Sequence, residues 1–392
     1  MANELRGFDK VKGNRELKKI EKTDKWFTYF ADGTREMDLQ MGGSSFTLGY
    51  NNSAVTQNLE KNILDTARCQ SNNRHYNDAT ERAGDILCDG VWHSFSWALS
   101  GTSAVEAAIS MNDEYWKRMG KDRPKIVSFS FAWHGTSYLT KDMGAPMLLQ
   151  NHTGRCINLN HPKSRAAEIE AIEHILSLDL EKIGCIIFDS IAWINGLHSW
   201  SREWWESIRD ICDKHDILMI TDDVAACWGK TKSLHPFKTI GYNIQPDISA
   251  LGKSLTAGYS PLGAAVCNEK VAEVIGAKGA WNYNHTWQPS MIGIYLMLNT
   301  YDYITGNFLI SHTDWIEEGL KSFGKKIYDE GYIDSYRVTG TFFAFDSKKE
   351  ISVPYTGLSS TLFKNNIRGC APLIASPEYF KDLKEHLYGF IS

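Results

Sequence analysis

The stretch PDISALGKSLTAGYSPLGAAV, Pro246 to Val266, decides how this chain is read. Its apolar run Ile248 to Leu251 reads as the end of a buried strand, which delivers one lysine, Lys253, into a segment of glycines and small residues. A lysine in that setting is either a solvated loop residue or an amine held in a pocket for covalent chemistry. Roughly thirty residues upstream, a second apolar run ends in acid: Ile217-Leu218-Met219-Ile220-Thr221-Asp222-Asp223-Val224. If the two runs are neighbouring parallel strands, both groups reach the carboxyl edge of one sheet, where open α/β sheets bind ligands.

An aldehyde cofactor with a basic ring nitrogen needs that pair. The amine, here Lys253, would form the Schiff base, and the carboxylate, here Asp222, would keep the ring nitrogen protonated so that the ring can accept electrons. At ~4 Å and an effective dielectric of ~20 such a contact is worth about 4 kcal/mol. That is roughly three decades of protonation equilibrium.

Composition narrows the field. The 392 residues suffice for a large and a smaller domain, and 43% hydrophobic content is ordinary for a globular protein. A formal charge of -5 leaves no electrostatic footprint for nucleic acid. Cysteines 69, 88, 156, 185, 212, 227, 267 and 370 are scattered, with no CxxC pair and no metal-ligand cluster, so reduced buried thiols are expected. No apolar run reaches membrane-spanning length and the N-terminus lacks a signal core, so no membrane association and a cytoplasmic location are expected.

Along the chain, the lysine-rich first twenty-five residues read as a solvated arm, and WFTYFADGTREMDL turns at Asp32-Gly33 as a hairpin. MGGSSFTLGY, 41 to 50, is irregular; Thr80 to Asp89 is helical and Phe95 to Leu99 a strand. Ser100-Gly101-Thr102-Ser103 opens a helix running to Gly120, whose start offers free amides either to a phosphate or to a plain Ser/Thr cap. After the strand 125 to 131 come Trp133 and His134, the first a core residue or a cover for a flat ring, the second a proton carrier or a hydrogen-bonded structural histidine. Residues 184 to 189 form a strand, Ser201 caps the helix carrying Trp204, Ile208, Ile211 and His215, and a long apolar helix starts near Ser290. From about Ile310 the pattern becomes α+β: a helix near Glu317 to Glu330, one strand YRVTGTFFAFD, a strand-like segment with Arg368, and a final helix from Pro377. Arg368 suits either a carboxylate or a rim salt bridge. Alternating strands and helices from 46 to 300 indicate a mainly parallel sheet covered on both faces.

The ordered motifs SGTSAVEAA, AWHGTS, ITDDVAACWGKT, PDISALGKSLTAGYSPLGAA, HTWQP and IRGCAPLI resemble the class III (subgroup II) aminotransferases of fold type I, which use pyridoxal 5′-phosphate. The likeness runs from about Trp26 to the C-terminus. It implies an α/β fold with a seven-stranded-type, mainly parallel sheet flanked by helices in a large domain, 46 to 300. A smaller α+β domain is built from the two chain ends, 1 to 45 and 301 to 392. By the same resemblance Lys253 would hold the cofactor as an internal aldimine and shuttle the substrate proton. Asp222 would pair with the pyridine nitrogen, Val224 would pack beneath the ring, and Gly101 and Thr102 would take the phosphate. Trp133 would stack on the ring, Thr286 would reach the phosphate of a neighbouring subunit in a homodimer with shared active sites, and Arg368 would receive a substrate carboxylate.

Departures accompany the likeness. Asp223 stands for the family's usual glutamate, Ala225 for a glutamine, Cys227 for a glycine, Asp189-Ser190 for Glu-Pro and Ser103 for an acid, and HTWQP is short for the family's Thr-to-Pro spacing. The expected reaction moves an amino group from a small amino acid or amine to a carbonyl acceptor through pyridoxamine phosphate. Alternatives are an intramolecular aminomutase, since the spacing Asp38 to Gly49 resembles glutamate-1-semialdehyde aminomutase, a racemase or epimerase, and a cofactor-binding protein without activity.

Overall fold

The computed structural model describes residues 18–66, 77–144, 153–276, 281–349 and 365–391. Most of the expected N-terminal arm, 1–17, and part of the 145 to 162 loop lie outside them. β1 (Ile20–Asp24), β2 (Phe27–Phe30) and β3 (Arg35–Met37) form a small antiparallel sheet. The turn at Asp32-Gly33 is the expected hairpin, with Gly33 at φ 81 and the Asp32 carboxylate accepting from the Thr34 amide at 2.8 Å. α1 (Met41–Ser44) is a distorted turn with Gly42 and Gly43 in left-handed conformations, followed by α2 (Leu59–Thr66) and α3 (Asp78–Cys88).

The large sheet then unfolds in the sequence β4 (Ser94–Ala98), α4 (Gly101–Arg118), β5 (Lys125–Phe129), α5 (Thr140–Met143), β6 (Cys156–Leu159), α6 (Arg165–Leu176), β7 (Ile183–Asp189), α7 (Arg202–His215), β8 (Leu218–Asp222), β9 (Ile248–Leu251) and β10 (Gly263–Cys267). Its order is β4-β10-β9-β8-β7-β5-β6, and only β10 runs against its neighbours. Because both faces are covered, the inner strands are continuous apolar runs rather than alternating ones. Alternate residues still go to opposite layers. Cys185, Ile187, Leu218 and Ile220 pack with Ala104, Val105 and Ala108 of α4, whereas Ile186, Phe188, Ile217 and Met219 pack with Trp204, Trp205 and Ile208 of α7. β8 and β9 are parallel neighbours in register, Asp222 beside Ala250.

Beyond α8 (Glu269–Gly276) and the long α9 (Met291–Gly306), capped by Ser290, α10 (Leu309–Asp329) starts several residues before the expected helix. The run YRVTGTFFAFD, expected as one strand, is a hairpin of β11 (Ile333–Thr339) and β12 (Phe342–Ser347), with β13 (Asn366–Cys370) as third strand. The reason is Gly340, at φ 57, where a Cβ would come within 2.0 Å of the Lys230 carbonyl oxygen. Only glycine fits that turn. The C-terminal helix, Pro377–Ile391, closes the smaller layer, where Trp26, Met37 and Leu39 share one core with Leu320, Phe345, Tyr379 and Leu383. The two chain ends are thus packed together, and the Trp26 indole donates to Asp382 at 2.8 Å.

Candidate functional site

At the carboxyl edge of the large sheet lies a cavity of about 160 Å³, far more than one water requires. The end of β8 supplies Asp222, which is nearly fully buried. Its Oδ1 accepts from the Val224 amide at 3.0 Å and its Oδ2 from His134 Nδ1 at 2.8 Å. Burial disfavours a charged His134, but the hydrogen bond and charge of Asp222, joined by Asp189, reverse this and raise its pKa. His134 and the Val224 amide therefore hold the Asp222 carboxyl group in one orientation.

β9 ends at Leu251 and the chain turns through Gly252 into a single 3₁₀ turn, so that Lys253 points into the same cavity. Lys253 has a left-handed backbone, φ 42, of the kind found at functional sites. Burial pushes the pKa of its ammonium down, opposed by the charge of Asp222. A neutral, nucleophilic amine is thereby made accessible. Its Nζ lies 6.0 Å from the centre of the Trp193 ring.

The third element is the start of α4. Ser100 and Ser103 form a capping box, Ser100 Oγ accepting from the Ser103 amide at 3.2 Å, and Gly101 and Thr102 line the cavity beside them. Two glycines make room there. A Cβ on Gly101 would come within 2.5 Å of Val224 Cγ1, and one on Gly135, at φ 111, within 2.3 Å of Thr102 Oγ1.

Six of the eight residues singled out from sequence, Gly101, Thr102, Trp133, Asp222, Val224 and Lys253, line this one cavity. Thr286 does not. It sits exposed on a loop whose Tyr283 hydroxyl donates to the Ser103 carbonyl at 2.7 Å. Arg368 does not either. It is 2% exposed, and its Nη1 donates to the backbone carbonyls of Trp193, at 3.1 Å, and Ile194. His134, open between two readings in the sequence, is the hydrogen-bonded partner of Asp222.

The sequence reading missed Gly135, Ile191, Trp193 and Ile194, which also line the cavity. The last three belong to the loop after β7, and a loop at the carboxyl end of a strand next to β8 was the available signal. Asp189, at the end of β7 beside Asp222 in the ladder, lines the cavity with Oδ1 buried and lacking a hydrogen-bond partner. Burial pushes its pKa up to about 7, with Asp222 adding to the effect and His134 opposing it. Asp223, by contrast, is structural in its contacts, accepting from Ser249 Oγ at 2.6 Å and Thr221 Oγ1 at 3.0 Å.

A family model described as aminotransferase class-III matches residues 10–377. The chain belongs to that family. Class III aminotransferases use pyridoxal 5′-phosphate. An acetylornithine aminotransferase of Aquifex aeolicus is 27% identical over 63% of this chain, which spans 64% of that relative's length. Among solved structures, the ω-transaminase of Pseudomonas jessenii in complex with PMP covers 95% of this chain and is itself covered to 91%, with TM-score 0.85 and 19% identity. An (S)-enantioselective ω-transaminase from Thermomicrobium roseum covers 95%, is covered to 92%, and has TM-score 0.84 and 20% identity. The class III cofactor fits the residues present. The helix start cleared by Gly101 and Gly135 suits its phosphate, Asp222 its ring nitrogen and Lys253 its aldehyde.

Proposed function

We propose that this class III aminotransferase moves an amino group from an amino acid or amine to a carbonyl acceptor, with Lys253 as covalent anchor and proton carrier. The observation that carries this reading is the meeting of the Lys253 amine, the Asp222 carboxylate and the α4 start in one cavity. Pyridoxal 5′-phosphate, when bound, supplies an aldehyde for amines to condense with and a ring that stores the electron pair released at the substrate carbon. Asp222, oriented by His134 and the Val224 amide, holds a proton at the ring nitrogen. The amides of Gly101 and Thr102 would hold the phosphate, and Val224 and Trp133, which line the same cavity, would confine the ring. Lys253, its ammonium destabilised by burial, serves first as nucleophile and then as the base that takes and returns the substrate proton.

We further propose a homodimer in which Thr286 of each subunit reaches the partner's phosphate. Thr286 is exposed and lies outside its own chain's cavity, and beside it Trp287 is 63% and Ile292 44% exposed. Exposed large apolar groups on one stretch mark a contact surface.

The test is to mix cofactor-loaded protein with single amino compounds and follow its visible absorbance. A transaminase stops after one half-reaction and recovers its spectrum only when a carbonyl acceptor is added. Turnover with one compound alone, its amino group moved within the molecule or its configuration inverted, would replace this reading with an aminomutase or a racemase.

A further inference from the structure

Four titratable side chains line the cavity among the described residues: His134, Asp189, Asp222 and Lys253. Asp222 and His134 are engaged with each other, and Lys253 is the reacting amine. Asp189 has no such employment. Its Oδ1 is buried without a hydrogen-bond partner, while the residue keeps part of its surface on the cavity. β7 pairs with β8 in parallel, Asp189 beside Asp222 in the ladder, so the two carboxyl groups rise from the same face of the sheet at neighbouring strand ends.

The order of the strands decides which edge of the cofactor Asp189 meets. Around the pyridoxal 5′-phosphate ring the aldehyde lies opposite the nitrogen, with the phosphate arm on one side of it and the phenolic oxygen on the other. Asp222 suits the nitrogen, Lys253 the aldehyde and the α4 start the phosphate, and α4 follows β4. In the order β4-β10-β9-β8-β7, the strands β4 and β7 lie on opposite sides of β8. The phenolic oxygen is thereby turned toward the end of β7. Of the neighbouring lining residues, Ile191, Ile194 and Ala225 carry no polar side-chain atom, and Trp193 Nε1 is buried.

Resting on that placement of the cofactor, we propose that Asp189 is a further catalytic residue, whose carboxyl group donates a hydrogen bond to the phenolic oxygen. A carboxyl group donates only while it keeps its proton. Burial pushes the Asp189 pKa up to about 7, with His134 opposing and Asp222 and Asp223 adding to the effect, and Lys253 faces it as well. An anionic oxygen alongside favours the proton further. The nitrogen that joins Lys253 to the cofactor shares its proton with the phenolic oxygen. A donor at that oxygen therefore lets the nitrogen release its proton at lower pH, free to take one from an incoming ammonium.

The test is a pH titration of the visible absorbance of the cofactor-loaded wild type, Asp189→Leu, Asp189→Asn and Trp193→Phe. Leucine keeps the shape without a donor, and asparagine donates without ionising. The midpoint should rise by about one pH unit in Asp189→Leu, as expected for one hydrogen bond to a charged oxygen. It should stay close to wild type in the other two variants. In parallel, Asp189→Leu should bind pyridoxal 5′-phosphate about tenfold more weakly and 3-deoxypyridoxal 5′-phosphate as well as the wild type does. Asp189→Ala replaces the leucine variant if that one does not fold. A lowered midpoint, which marks an ionised carboxylate acting by its charge, would overturn the proposal. So would an unmoved midpoint, or equal weakening toward both cofactors. A wild type that shows no visible band, or carries the cofactor on another lysine, fails the cofactor placement itself, whereas a band on Lys253 with an unmoved midpoint fails this inference alone.

Discussion

Asp222 and Lys253 are two polar groups that meet in one cavity, and each is made useful by its surroundings. Asp222 is aligned by one amide and one imidazole, leaving no rotation to pay for when a ring nitrogen arrives. Asp222→Asn should therefore lower amino-transfer rate about 1000-fold, the three decades of ring protonation that the carboxylate supports. The variant should still attach its cofactor through Lys253, which separates lost chemistry from lost binding. Asp189 gives a different prediction. Its pKa is raised to about 7 by burial, so the folded state keeps a proton that the unfolded chain has released above about pH 4. Stability of the cofactor-free protein should fall through that window by up to about 1.4 kcal/mol per pH unit and level off above pH 7. Asp189→Asn should remove this slope, so that thermal melts of the two proteins agree near pH 4 and the variant melts higher at pH 8.

Among the elements, the strands were easy to read and the connections were not. Ile217 to Asp222 and Ile248 to Leu251 are buried throughout and mostly apolar because both faces of the sheet are covered, and that pattern, with Asp222 ending one run and Lys253 following the other, makes the site legible in the sequence. The capping box at Ser100 was equally legible, since capping depends on residues three apart. The β11–β12 hairpin was hidden because Thr339 to Thr341 carries no Asn or Asp, and the need for Gly340 comes from Lys230, distant in sequence. The wall of Ile191, Trp193 and Ile194 was hidden for the same reason: its position is set by Arg368, on a different sheet. At the α4 start, Gly101→Ala would press a methyl group against Val224. The variant should lose about 1–3 kcal/mol of stability, and titration with pyridoxal 5′-phosphate should show weakened affinity.

For the whole molecule, the two chain ends share one core, so the smaller layer cannot form until the C-terminal helix meets Trp26 and Met37. The large sheet presents its site at the edge where β7, β8 and β9 all end, and residues from five separate segments converge there. The proposed homodimer adds a sixth. Trp287→Glu should shift the protein toward monomer in sedimentation, and Thr286→Ala should weaken cofactor affinity while leaving the dimer intact. Thr286 was found in the sequence only through family likeness, because nothing local marks a residue that serves another chain.

The most direct measurement is sodium borohydride reduction of the cofactor-loaded protein, followed by peptide mass mapping, on the wild type and on Lys253→Arg. A pyridoxyl group fixed to the peptide containing Lys253, and absent from the variant, is the predicted result. The same group on another lysine, such as the buried Lys230, or equal labelling of both proteins, would contradict the assignment on which the chemistry rests.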